Sequence, residues 1–477
     1  MKALAAVLLL LATAAHAGPQ DIIVKFADPG SAQTARIQAG AQLARTFDFI
    51  AAELWTVEGD PLTVCEELRS MPGVVYAVPD RPVYVSTVPN DSIIANQWHH
   101  GQASDKDIDS YEAWDTWTGD TSFVVGVIDT GIRINLGPHN DLGANMWRNY
   151  GEVEGDGIDN DANGFVDDFQ GWDFGSSGPP AQDNNPHDGN SHGTHVSGLI
   201  GAVGNNISGV SGVMWRCKLM PVKYTVGIES YGYTSAVVSA LDYCRMMGVR
   251  IVNCSFGTVV DDPVMHDAFT AANNAGMLLV CAAGNEGRDL DCCPTSCGFY
   301  PAGWADANII SVGGSTIDDL RYGSTNYGIN SVDLFAPALN VYSTLSNANG
   351  PHYGNKTGTS MATPLVAGTA GLIWSFRPNL TAAEVKQCIL ATAEPGFWFS
   401  GKCVTGGRLN VAAALAYAAN FGAGGGGGPL ETNSVRPVSG PLKDYDVQGR
   451  RVDPAARSGV TFRKPERGAT KKRATVK

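Results

Sequence analysis

Residues 123–132, FVVGVIDTGI, decide how the chain is read. Val124, Val125, Val127 and Ile128 fill a short run with no polar alternation, and the run ends at Asp129, Thr130 and Gly131. An apolar run of that length, closed by a turn signal, reads as a strand buried on both faces, the kind a parallel sheet needs when helices cover it from two sides. The acid at its end stands where such sheets carry functional groups, beyond the carboxyl ends of the strands, although Asp also caps strand ends in ordinary loops.

Outward from this run the pattern repeats. KLMPVKY (218–224), RIVNCSF (250–256), MLLVCAA (277–283) and NIISVGG (308–314) read as further buried strands. TSAVVSALDYCRMMG (234–248) and ATPLVAGTAGLIWSF (362–376) read as helices between or after them. The alternation predicts an α/β fold, a parallel β-sheet with helices on both faces, over residues 87–421. Ahead of it, residues 18–86 read as a small α+β unit. There DIIVKF (21–26) and LWTVEG (54–59) are strands, PLTVCEELRSM (61–71) is a helix by its apolar spacing, and VVYAVPDRPVYV (74–85) is extended chain after the turn signal MPG. An ordinary α/β binding module would read the same way.

The two ends differ from the middle. Residues 1–17 place Lys2 before an apolar run from Ala3 to Ala12, with small residues at Ala15 and Ala17; this is a signal peptide, too short to span a bilayer. No later stretch of about 18 apolar residues exists to form a transmembrane segment. The Gly-rich residues 422–430 form a flexible linker, and residues 431–477 are a basic tail. From Leu430 onward twelve Lys and Arg face five Asp and Glu, so the net charge of -14 hides an acidic body of -21, which argues against nucleic acid as a partner. Ten cysteines fit an exported protein. Their connectivity stays open, but Cys254 and Cys281 lie in buried strands and read as free thiols.

Two further segments carry polar groups in apolar settings. DGNSHGTHVSGLIGA (188–202) places His192 at the start of a helix; His195, three residues on, lacks the further ligands of a recognisable zinc pattern and reads as a core histidine. GTSMATPLVAG (358–368) places Ser360 at the start of an apolar helix, where a serine by itself reads as a cap.

Together, DTG (129–131), NSHGTH (190–195) and GTSMATP (358–364) closely resemble the signatures of the subtilase family of serine proteases, and their order, Asp, His, Ser, is the family's. The resemblance covers Asn90 to Phe421, and residues 18–86 occupy the place of the family's inhibitory propeptide. It implies a catalytic triad of Asp129, His192 and Ser360, with Asn285 of LLVCAAGNEG as the oxyanion donor. It also implies that Ser255, Phe256 and Gly257 line one wall of the substrate pocket, and that Phe299 lies at its base, where a bulky ring makes the pocket shallow. The expected substrates are proteins or peptides bound as added strands, with the chain's own propeptide as inhibitor. The product is expected to be a secreted monomer, processed autocatalytically near residues 84–86. A lipase-like hydrolase is disfavoured, because it needs G-x-S-x-G where this chain has G-T-S-M-A. A catalytically inactive subtilase acting as an extracellular binding protein is the alternative from another class.

Calcium is expected at two places. Asp129 and His192 are 63 residues apart, wider than in compact family members, and the insertion contains GDGIDNDANGFVDDFQGWDF (155–174). Asp159, Asp161 and Asn163 alternate before Gly164, as in a calcium loop, with Phe165 supplying a carbonyl and Asp167 or Asp168 closing the site where Gln170 replaces the usual Glu. A solvated acidic loop is the plainer reading. The second place follows from the resemblance: Asn206, Ser208 and Val210 of GAVGNNISGVSG, with Gln97 and Asp141. The tail resembles the C-terminal sorting domains of some secreted bacterial proteins, though its composition also suits a disordered segment.

Overall fold

The computed structural model describes residues 20–28, 32–59, 61–80, 87–133, 141–175, 182–292, 297–347, 350 and 352–421. The expected signal peptide, the processing region at 84–86, the linker and the basic tail therefore lie outside the described residues.

The N-terminal unit is a four-stranded antiparallel sheet of β1 (Gln20–Phe26), β2 (Gln42–Phe47), β3 (Ala52–Val57) and β4 (Val74–Pro79), in the order β2-β3-β1-β4. Two helices accompany it, α1 (Ala32–Gln38) and α2 (Pro61–Arg69). Ile22, Val24 and Phe26 share one face of β1 at the strand period and pack with Trp55 and Val57 of β3. Ala32 and Ala35 of α1 and Cys65 and Leu68 of α2 close that core at helical spacing. The sequence reading had neither α1 nor β2. Strand β2 is an edge strand whose residues are almost all exposed, with a register break between Leu43 and Arg45, so it carries no apolar pattern.

The larger unit is built on a nine-stranded sheet, in the order β14-β15-β11-β10-β9-β8-β5-β7-β6. Its strands are β5 (Gly119–Asp129), β6 (Trp172–Asp173), β7 (Arg216–Lys223), β8 (Ile251–Cys254), β9 (Leu278–Ala282), β10 (Ile309–Ser315), β11 (Leu334–Pro337), β14 (Glu394–Pro395) and β15 (Gly407–Arg408). All neighbours run parallel except β14 and β15. A separate hairpin joins β12 (Val341–Thr344) to β13 (Tyr353–Lys356).

Helices cover both faces of this sheet. The helices of this unit are α3 (Ser110–Trp114), α4 (His192–Gly201), α5 (Thr234–Met246), α6 (Pro263–Asn274), α7 (Thr359–Phe376), α8 (Ala382–Ala391) and α9 (Val411–Asn420). Successive residues of β5 show the two faces: a methyl on Gly126 would stand 3.1 Å from Cys244 Sγ of α5, while a methyl on Gly371 of α7 would stand 3.5 Å from the Val125 side chain. Helix α7 is buried from Thr359 to Trp374 save for Ser360, so it shows no amphipathic period and runs through the interior.

Candidate active site

Asp129 ends the central strand β5, and its carboxylate is buried. Helix α4 begins beside it, with Ser191 at its N-cap in the left-handed region at φ 76°. Gly193 makes the approach sterically feasible: a Cβ there would overlap the Gly131 carbonyl oxygen and stand 3.1 Å from Asp129 Oδ1. The result is a hydrogen bond of 2.7 Å between His192 Nδ1 and Asp129 Oδ1. The Thr130 amide also donates to that oxygen, at 2.7 Å.

Asp188, which the sequence reading passed over, organises this corner. Its Oδ1 accepts from Thr130 Oγ1 (2.9 Å), Asn190 N (2.8 Å) and Ser191 N (2.9 Å). Its Oδ2 accepts from Thr194 N (2.9 Å) and Thr194 Oγ1 (2.6 Å). The Gly193 amide closes the ring by donating to Thr130 Oγ1 at 2.8 Å. A buried carboxylate with five donors, set at the start of α4, ties the end of β5 to the turn that carries His192. Burial of the imidazole lowers its pKa, but the Asp129 charge and hydrogen bond more than offset this and hold it above its ordinary value of 6.5.

Ser360 stands in the first turn of α7 and is not its cap. Gly358 holds the cap position, and the Thr359 amide is taken up by Asn285 Oδ1 at 2.9 Å. Pro364 has no N–H to give the Ser360 carbonyl, its partner one turn back; Ser255 Oγ donates to that carbonyl instead, at 3.0 Å. Ser360 Oγ returns a 3.2 Å bond to the Ser255 carbonyl, and Asn253 Nδ2 steadies Ser255 Oγ at 2.9 Å. With Oδ1 of Asn285 engaged by Thr359, its Nδ2 remains as the donor facing the cleft.

These groups meet at one cavity of about 250 Å³. Asp129, His192, Ser360 and Asn285 line it together with Ser255, Phe256, Gly257 and Phe299, so the expected catalytic and pocket residues converge. Tyr224 and Ser230 also line it, which no local pattern had marked. The Tyr224 and Phe256 rings stand 4.8 Å apart.

The insertion folds around acidic side chains. Carboxylate oxygens of Glu152, Asp161 and Asp168 lie within 4.8 Å of one another, and Asp168 and Glu152 are buried. Burial raises the Asp168 carboxyl above its ordinary value, while bonds from Tyr243, Asn149 and Asn163 act the other way. Glu152 precedes the segment read from sequence. Asp159 accepts from the Asn163 and Gly164 amides, and Asp167 from the amides of Gly155, Asp156 and Gly157, so both brace the loop. Asn163 Nδ2 donates to Asp168 Oδ2 at 3.1 Å, and the Phe165 ring packs on Trp172 and Tyr243.

At the second place, Asp141 Oδ1 accepts from Asn206 Nδ2 (2.8 Å) and Oδ2 from Val210 N (2.7 Å). Ser208 N donates to Asn206 Oδ1, and Gln97 exchanges bonds with the Ser211 backbone. Burial pushes the Asp141 carboxyl up to about 7. Asp91, missed by sequence, accepts from the Asn205 and Asn206 amides.

His195 is buried with Nε2 at 3.1 Å from the carbonyls of Val341 and Gly354, and burial lowers its pKa to about 3. Cys254 and Cys281 are free and buried, as are Cys217, Cys244, Cys388 and Cys403; Cys65 is buried in the N-terminal core, Cys292 and Cys297 are paired, and Cys293 lies outside the described residues. Among the described residues no helix is long and apolar enough to cross a membrane.

Comparison with known proteins gives the family. Residues 120–428 match the Subtilase family, and residues 14–80 match the Fervidolysin N-terminal prodomain. An extracellular basic protease of Dichelobacter nodosus is 33% identical over 74% of this chain and 60% of its own length. Thermitase of Thermoactinomyces vulgaris is 30% identical over 69% of this chain and 99% of its own. A solved protease structure from Pseudoalteromonas arctica superposes with a TM-score of 0.56 at 28% identity, covering 70% of this chain and all of that one. The chain belongs to the subtilase family, a subtilisin-like serine protease with a fervidolysin-type prodomain ahead of its peptidase domain.

Proposed function

We propose that the protein is an exported endopeptidase that cleaves peptide bonds through an acyl-enzyme, with Ser360 as nucleophile, His192 as base and acid, and Asp129 as the residue that orients His192. The observation that carries this is the 2.7 Å bond from Asp129 Oδ1 to His192 Nδ1, formed beside Ser360 and Asn285 at one cavity. That bond leaves Nε2 of the imidazole to accept the Ser360 proton during attack and return it to the leaving amine. In the resting arrangement the hydroxyl donates to the Ser255 carbonyl, and rotation about its Cα–Cβ bond turns it toward the imidazole. Asn285 Nδ2 and the Ser360 amide then receive the oxyanion; losing such a side-chain donor costs on the order of 100- to 1000-fold in rate, a magnitude measured on a subtilisin.

Residues 1–17 direct export, residues 18–86 serve as the inhibitory propeptide, and residues 87–421 form the mature enzyme, followed by the 422–430 linker and a 431–477 tail that acts as a sorting signal. Calcium is the cation proposed for both acidic places, and the cluster of the insertion supports it. Three carboxylates gathered within 4.8 Å, two of them buried, repel one another, and a cation between them would relieve this further than the Asn149 amide, which donates to Asp161 and Asp168. At such a place Glu152, Asp161 and Asp168 would be the anchors, and Asp141 with Asn206 at the other; the ion would brace the fold rather than enter the chemistry.

The test is a serine-directed phosphonylating reagent on the processed protein, with denatured protein as substrate and calcium present. Stoichiometric labelling with loss of activity is expected in the wild type, and Ser360→Ala should show neither labelling nor activity. A processed wild-type chain that cleaves nothing overturns the proposal.

A further inference from the structure

Resting on the protease reading above, the substrate slot is occupied from within. Phe299 reaches the cavity from the residue before Tyr300, whose backbone is pinned by a reciprocal pair of 2.8 Å hydrogen bonds, Tyr300 N to Thr258 O and Thr258 N to Tyr300 O. This pairing sets Phe299 alongside Gly257, on the wall that continues from Ser255. A methyl on Gly257 would overlap Cε1 of the Phe299 ring and lie 2.7 Å from Cζ. On the opposite wall, beside Asn285, a methyl on Gly284 would lie 2.9 Å from Cγ of the same ring. The far edge of the ring therefore rests on one glycine backbone and its root on the other, so the ring spans the slot.

Carbon atoms in contact stay about 3.5–4 Å apart, so a second large side chain cannot share that space without moving Phe299. The ring is not free to move cheaply. It packs on the cluster of Leu290, Val332, Phe335 and Phe399, and displacing it would expose apolar surface and break those contacts.

We propose that Phe299 is a specificity-determining plug: the enzyme accepts a small residue, glycine, alanine or serine, immediately before the scissile bond, and rejects aromatic and long aliphatic residues there. Affinity then rests on backbone pairing and on more distant side chains of the substrate.

The experiment compares processed wild type, Phe299→Gly and Phe299→Ala on peptide substrates that differ only in the residue before the scissile bond, with active sites titrated by the phosphonylating reagent. Wild type should favour alanine over phenylalanine by about tenfold or more in kcat/KM, the scale on which apolar pockets discriminate. Either variant should shift the phenylalanine-to-alanine ratio in kcat/KM by roughly 100-fold in favour of phenylalanine. A wild type that prefers large residues, or a ratio unmoved in the variant that folds, overturns the plug and leaves the protease reading intact. If the wild type hydrolyses none of the peptides and no denatured protein, the protease reading itself is what fails.

Discussion

Asp188→Asn tests whether the alignment of His192 depends on the carboxylate beneath it. Asparagine preserves the shape and one acceptor, so the bonds from Thr130 Oγ1, Asn190 N and Ser191 N survive at Oδ1. The second position becomes an amide nitrogen facing two donors, Thr194 N and Thr194 Oγ1. The hydroxyl can rotate to accept, but the Thr194 amide cannot, and an unmade buried bond costs about 1–3 kcal/mol. Removing a negative charge from the N-terminus of α4 costs about another 0.3–2 kcal/mol. The sum, about 1–5 kcal/mol, should lower Tm in calorimetry, and kcat should fall by roughly 10- to 100-fold, since small displacements of a catalytic group carry penalties of that size. The Asp188 charge also helps raise the His192 pKa, so the acid limb of the pH–rate profile should move slightly to lower pH. KM should change little, because Asp188 does not line the cavity. If Tm, kcat and the acid limb all match the wild type, the carboxylate is not what holds the corner together.

Asp129→Asn should act differently. His192 works as a base only when neutral, so activity is present above its raised pKa and lost as pH falls through it; removing the Asp129 charge should lower that pKa and shift the acid limb downward, while the maximal rate drops by about 10⁴. Ser255→Ala strips the Ser360 carbonyl of its donor and should cost about 1–3 kcal/mol in denaturant unfolding, and Pro364→Ala in that background should restore part of it by supplying an N–H; failure of the double variant to recover would refute the Pro364 account. Chelation of calcium should destabilise the wild type by about 2–3 kcal/mol if the ion had been present near 100 times its Kd, and Glu152→Gln should lose markedly less on chelation; equal Tm losses would refute a Glu152 site.

The large sheet was legible because its strands are buried on both faces, which leaves continuous apolar runs such as residues 124–128 and Leu278–Ala282. Strand β2 was illegible for the opposite reason: as an exposed edge strand it carries neither alternation nor an apolar run. His192 and Ser360 could be named because the motifs around them resemble the subtilase signatures, and Gly193 shows the physical sense of one such motif, since a Cβ there would overlap the Gly131 carbonyl and keep α4 from approaching Asp129 so closely. Asp188 could not, because its five donors are the hydroxyls of Thr130, on another loop, and of Thr194, and three backbone amides that carry no residue identity.

By itself, then, the amino-acid sequence determined the α/β architecture and the order of Asp129, His192 and Ser360 along it, because burial pattern and turn chemistry are local properties of the chain. Only the tertiary structure decided the rest. It placed Glu152 against Asp161 and Asp168, gave Pro364's missing donor a substitute in Ser255, and laid the Phe299 ring between Gly257 and Gly284. Such contacts join segments far apart in the chain, and their geometry is set by strand pairing and packing rather than by any neighbouring residue.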